Sequence, residues 1–131
     1  MKKLFVLSFI VLATATAQQV TPLLEVLRWN CDAPDSGYSK TYGTVQNTGN
    51  KTLEYLKVTA EYFQDKEKKI LVAQESSLVK ARKLEPKAQT TFDVTVKIPK
   101  FGACWLSFET DSGIIPTKYP DYSNNPPPRL P

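Results

Sequence analysis

Histidine is absent from this 131-residue chain, and there are only two cysteines, five glycines and one methionine. Without histidine the chain lacks the side chain that titrates near neutral pH and most often ligates metals. The few glycines form no phosphate-cradling loop, and the two cysteines, Cys31 and Cys104, form no closely spaced metal or redox pair. The longest apolar run, Leu4 to Ala13 relieved by Ser8, is about half of the ~20 residues that cross a bilayer. These absences exclude most residue patterns that announce a reaction.

The first seventeen residues read as a secretory signal. Met1-Lys2-Lys3 is a short cationic start, the apolar run follows, and Ala15-Thr16-Ala17 supplies small residues at both cleavage positions. Cleavage after Ala17 leaves Gln18 first, and the run is too short for a membrane anchor. Removing Lys2 and Lys3 reduces the 17 basic residues to 15 against 13 acidic ones, so the formal charge falls from +4 to +2. That balance offers nothing to a nucleic acid, and no dense basic patch exists. The remaining 114 or so residues suffice for one domain with one core.

In an exported chain an even cysteine count reads as a disulfide. Cys31 with Cys104 would tie the first strand to the last, and the chain-entropy model gives about 4 to 4.5 kcal/mol for closing that loop. Two free buried thiols or a redox pair are the alternatives.

What the chain does have is alternation with period two. Leu56, Val58, Ala60 and Tyr62 share one parity with Lys57, Thr59 and Glu61 between them, and Phe92, Val94, Val96 and Ile98 alternate with Asp93, Thr95 and Lys97. Strand side chains point to opposite faces in turn, so one face is buried and the other wetted. Further strands are expected over residues 22–30, 38–46, 52–63, 70–73 and 104–109, with a less certain period around Ser77-Leu78-Val79. The 52–63 strand is expected to follow its predecessor through a hairpin at Asn47-Thr48-Gly49-Asn50-Lys51. Leu24 and Val26 fall on one parity of the first strand, Leu27 and Trp29 on the other.

Six or seven short strands with turn signals about every ten residues predict an all-β domain, an immunoglobulin-like antiparallel β-sandwich, with a closed barrel as runner-up. The domain is expected over residues 18–110. Six of the ten prolines lie between Pro116 and Pro131, so residues 111–131 read as a proline-rich, disordered tail. Pro126-Pro127-Pro128-Arg129-Leu130-Pro131 carries a P-x-x-P spacing, read as a spacer or docking tail.

The middle of the chain resembles a known family. Gly43-Thr44-Val45-Gln46-Asn47-Thr48-Gly49, then Leu53 with the segment Leu56 to Asp65, then Leu84-Glu85-Pro86 ahead of Thr91-Phe92-Asp93-Val94, is similar to the FxLYD-type domain. The resemblance covers roughly Tyr38 to Ile98. It implies an immunoglobulin-like sandwich of exported or envelope-associated prokaryotic proteins, and carries no catalytic activity. Tyr62-Phe63-Gln64-Asp65 keeps an aromatic pair and the aspartate but lacks the leucine–tyrosine of the naming motif.

Glu61 with Asp65, or Asp32 with Asp35, are the nearest acid–base pairs. Glu61 lies on the wetted parity and the aspartates lie in turns, where they satisfy backbone donors. Asp32, Asp35 and Ser36 lack the spacing of a calcium loop. Lys66, Lys68 and Lys69 read as a solvated turn, and Asn50-Lys51-Thr52 as a turn that also matches a glycosylation acceptor. The expectation is a non-catalytic binding or scaffold module of the cell envelope with no cofactor. It would take a protein or another envelope component as partner, without nucleic acid and without a membrane span. A secreted inhibitor or effector that inserts a loop into a soluble protein is the alternative.

Overall fold

The computed structural model describes residues 21–35 and 37–120. The expected signal segment and the P-x-x-P stretch lie outside the described residues. Among those described there is no helix, and the protein is all-β. Its longer strands are β1 (Leu24–Asp35), β2 (Tyr38–Asn47), β4 (Lys57–Phe63), β5 (Leu71–Leu78), β7 (Gln89–Val96) and β8 (Ala103–Thr110). Among the described residues four two-residue strands complete the set: β3 (Leu53–Glu54), β6 (Lys83–Leu84), β9 (Gly113–Ile114) and β10 (Thr117–Lys118).

One sheet has the order β10-β1-β2-β7 and a second the order β5-β4-β8-β9, while β3 and β6 form a separate pair. Every pairing is antiparallel except that of β1 with β10, which is parallel. Both larger sheets feed one core. Val26, Val45 and Val94 from the first are buried in the same cluster as Val58, Ala60, Tyr62, Leu106 and Phe108 from the second. Phe92 meets Phe108 edge-on at 5.3 Å between ring centroids, an arrangement that suits the ring quadrupoles.

The period-two reading places the core correctly in β4 and β7. Val58, Ala60, Tyr62, Phe92 and Val94 are buried, whereas Val96, at the end of β7, is only partly so. In β1 the parity reading fails at one point. Val26 stands opposite Val45 and Arg28 opposite Thr44, so Leu27 is an inserted residue without a partner. Such a bulge switches the face of everything after it. Leu24, Val26 and Trp29 are therefore all buried, and Leu27 points outward.

Three further expectations are corrected. The 52–63 strand is two strands in different sheets, broken at Tyr55, whose φ of 53° is left-handed. No hairpin joins it to β2, because both edges of β2 are already taken by β1 and β7. The apolar and polar pieces between residues 70 and 79 form a single strand, β5, paired along β4. The domain also does not end at residue 110. Gly113–Ile114 pairs with the end of β8, Ile115 is buried, and Thr117–Lys118 joins β1, so residues 111–120 belong to the sheets and the expected tail begins no earlier than residue 121.

Cys31 and Cys104 are bonded, with Cα atoms 6.6 Å apart, which links β1 of one sheet to β8 of the other. Beside the bond, Thr41 Oγ1 lies 3.2 Å from Cys31 Sγ and hydrogen-bonds the Tyr62 hydroxyl, so the polar atoms that cross the core satisfy one another.

Candidate functional site

Asn47, the last residue of β2, is completely buried and organises one end of the domain. Its side-chain amide donates to the carbonyls of Lys51 and Leu84, both at 2.8 Å, and its Oδ1 accepts the Gly49 N–H at 2.9 Å. The last contact is an Asx-turn, the reason asparagine suits a strand exit. Its main chain adds bonds from Asn47 N–H to Ala88 O and from Lys87 N–H to Asn47 O. One residue thus ties the 48–52 loop, β6 and the start of β7 together.

The loop leaving this corner forms one wall of an open cleft of about 780 Å³, and the β8–β9 turn forms the other. Leu23, Leu53 and Ile115 give the cleft an apolar floor, while Asn50, Thr52, Thr110, Asp111 and Ser112 bring hydroxyl, amide and carboxylate groups to its walls. Tyr55 completes the lining with a side chain 53% exposed. Its backbone is fixed by a 2.8 Å bond from its N–H to Arg82 O. A left-handed tyrosine is uncommon, since a side chain with a Cβ is disfavoured there. An exposed ring on such a backbone gains no core packing in return. Apolar floor, convergent polar groups and an exposed ring together define a place for a ligand.

The residues singled out from the sequence are found elsewhere. Glu61 sits in β4 with Gln74 and Trp105 as cross-strand neighbours. Asp65 accepts the N–H groups of Lys69 and Ile70 at 2.9 to 3.0 Å. The Ile70 N–H above all holds its carboxyl below the usual carboxylate range. Asp32 accepts the Tyr42 hydroxyl at 2.8 Å, and this bond is the main cause that raises the Tyr42 phenol above its ordinary value. Asp35 pairs through its backbone with Tyr38 at the end of β1. Asp32 and Asp65 thus have structural partners, and no cluster of metal-binding side chains occurs among the described residues. The Asn50-Lys51-Thr52 acceptor pattern lies on the cleft wall.

Two features escaped the sequence reading. Lys68 is not solvated: it is 5% exposed and its ammonium lies 4.5 Å from the centroid of the Trp105 ring. The ring also packs on Tyr119 at 4.7 Å and on Trp29 at 6.4 Å. Burial pushes the Tyr119 phenol well above its usual range while its hydroxyl donates to Leu106 O at 2.8 Å. The second feature is the exposure of β5, where Leu71, Val72 and Leu78, together with Ile70 just before the strand, are each about half exposed.

Compared with known proteins, the chain matches no family model and no curated sequence.

Proposed function

We propose that the chain is an exported, non-catalytic binding module of the cell envelope, an immunoglobulin-like sandwich of the FxLYD type that holds its ligand in the cleft beside Tyr55. The observation that carries this reading is the cleft itself, where an exposed ring and polar groups from two separate loops converge. Several features support it. The Cys31–Cys104 bond fits an oxidising compartment. No helix among the described residues is long and apolar enough to cross a membrane. Nucleophilic or acid–base work needs a group poised beside a partner that can take its proton. Asp65 instead bonds backbone N–H groups, and Asp32 a tyrosine hydroxyl.

A loop-inserting inhibitor would most naturally use the β4–β5 turn. That turn is held down, with Asp65 bonding its backbone and Lys68 laid over Trp105, which favours the cleft as the contact.

The test is affinity isolation of envelope components on the immobilised exported chain, with a cleft variant, Tyr55→Gly, and a remote surface variant, Lys97→Ala, in parallel. Material retained by the native chain and by Lys97→Ala but lost with Tyr55→Gly is the expected result. Equal retention by all three rejects the cleft, and reproducible turnover of a substrate rejects the non-catalytic reading.

A further inference from the structure

We infer that the ligand of this cleft is a neutral saccharide chain, with the Tyr55 ring as the platform on which one sugar ring stacks; this rests on the cleft reading above. The inference comes from the chemistry of the lining. Sugars present two kinds of surface at once, a C–H face that sits on an aromatic ring and a rim of hydroxyls that both donate and accept. Tyr55 supplies the ring, and Asn50, Thr52, Thr110 and Ser112 supply side chains that can both donate and accept.

Competing ligand classes fit less well. Among the described residues of the lining, Lys51 is the only cationic side chain and is set against two carboxylates, Glu54 and Asp111, so phosphates and other anions meet a net negative site. A bare divalent cation such as calcium takes six to eight oxygens, more than these two carboxylates and scattered hydroxyls organise. A lipid chain needs a continuous apolar wall, whereas Leu23, Leu53 and Ile115 are interrupted by polar neighbours. An extended peptide usually adds to a free strand edge. The strand in this wall, β3, has only two residues, too short an edge to template a peptide strand.

The left-handed backbone at Tyr55 makes the test clean. Glycine adopts a φ of 53° without the Cβ penalty, so Tyr55→Gly removes the ring while leaving the fold at least as stable. Tyr55→Asn, a residue that also tolerates this conformation, is the second variant should the glycine loosen the loop.

The full exported chain would be titrated calorimetrically with short linear oligomers of glucose, of N-acetylglucosamine and of a uronic acid, and with inorganic phosphate and an unstructured peptide in separate arms. Saturable binding of a neutral oligomer is expected, about tenfold weaker in both Tyr55 variants, unchanged in Lys97→Ala, and weaker for the uronic acid series. Neutral-sugar binding unaffected by the Tyr55 variants overturns the proposal, as does preferential binding of phosphate or peptide. If no saccharide binds while envelope material is still retained in a Tyr55-dependent way, the saccharide class is rejected and the cleft stands. If retention does not depend on Tyr55, the cleft reading itself falls.

Discussion

Replacing Asn47 should reveal how much of the fold rests on one buried amide. Asn47→Ala removes three side-chain hydrogen bonds, to Lys51 O, to Leu84 O and from Gly49 N–H. At about 1 kcal/mol net each, these bonds sum to about 3 kcal/mol. The Leu84 carbonyl belongs to a residue that is 1% exposed, so no water can replace its donor, which adds about 1 kcal/mol or more. The expected cost is about 3 to 5 kcal/mol, a large part of the ~5 to 15 kcal/mol that holds a domain of this kind together. Urea titration reads it directly: with a slope near 2 kcal/mol per molar, the midpoint falls by about 2 M at unchanged slope. Asn47→Asp is the sharper variant. It turns carboxylate lone pairs toward two carbonyl oxygens at a buried position, so the charged form is disfavoured and the carboxyl titrates above its unfolded value. A group shifted upward contributes most below its unfolded pKa, and that contribution fades as pH rises through the folded one. Asn47→Asp should therefore gain stability between neutral pH and about pH 4 relative to native protein. A loss below about 1 kcal/mol for Asn47→Ala, or an Asn47→Asp variant as stable as native protein at pH 7, would refute the assigned role.

Gly43 lies in β2 where a Cβ would come within 2.8 Å of Phe92 Cζ and 2.9 Å of Trp29 Cα. The backbone cannot yield, so Gly43→Ala should cost about 1 to 3 kcal/mol by thermal melting, and an unchanged melt would show that the β1–β2 packing is wrongly described. Reducing the Cys31–Cys104 bond, which spans a sequence separation of 73, should lower stability in urea by up to about 4 kcal/mol; an identical midpoint with and without reductant would contradict that link. Val94→Asp should unfold the domain, since Val94 is 2% exposed, whereas Thr95→Asp on the wetted face should change stability by less than about 0.5 kcal/mol; equal tolerance would reject the register of β7. Asp65 has a lowered folded pKa, so its contribution is present above the unfolded pKa and is lost as pH falls. Asp65→Asn should flatten the acid limb of the stability curve below about pH 4, and an acid limb identical to the native one would sink the capping role.

The parts legible in the sequence were those where local pattern and tertiary outcome coincide. Val58, Ala60 and Tyr62 alternate because β4 has one wetted face, and the same logic located Phe92 and Val94. The bulge at Leu27 was invisible because it exists only relative to the partner strand, and a single inserted residue reverses the face of all that follows. Tyr55 could not be recognised as a break, since tyrosine is a good strand residue and only backbone geometry reveals its left-handed turn. Lys68 looked solvated because its partner, Trp105, lies 37 positions away in the sequence. Asn47 ends β2, and its Asx-turn to Gly49 is the part that composition signals. Its bond to Leu84 O across the domain had no local signature. The cleft went unread for the same reason, being made of two loops brought together by pairings that only the folded chain displays.

Those loops also explain how a protein with no helix among its described residues can present a defined site. Loop backbones usually remain mobile because their polar groups exchange bonds with water. Here several are fixed from within: Lys51 O and Gly49 N–H by Asn47, Tyr55 N–H by Arg82 O, and Thr48 N–H by Leu23 O. On the opposite wall, Ser112 N–H donates to Thr110 Oγ1, and Ile115 N–H donates to Phe108 O just beyond the turn. A site assembled this way is ordered before its ligand arrives, so little conformational entropy is lost on binding. The exposed apolar row of β5 lacks any comparable convergence of polar groups, and apolar exposure by itself sets no orientation for a partner. Preorganisation together with directional polar groups is what distinguishes the cleft from the rest of the surface. The same corner residue that stabilises the fold therefore also sets the geometry in which Tyr55 is displayed.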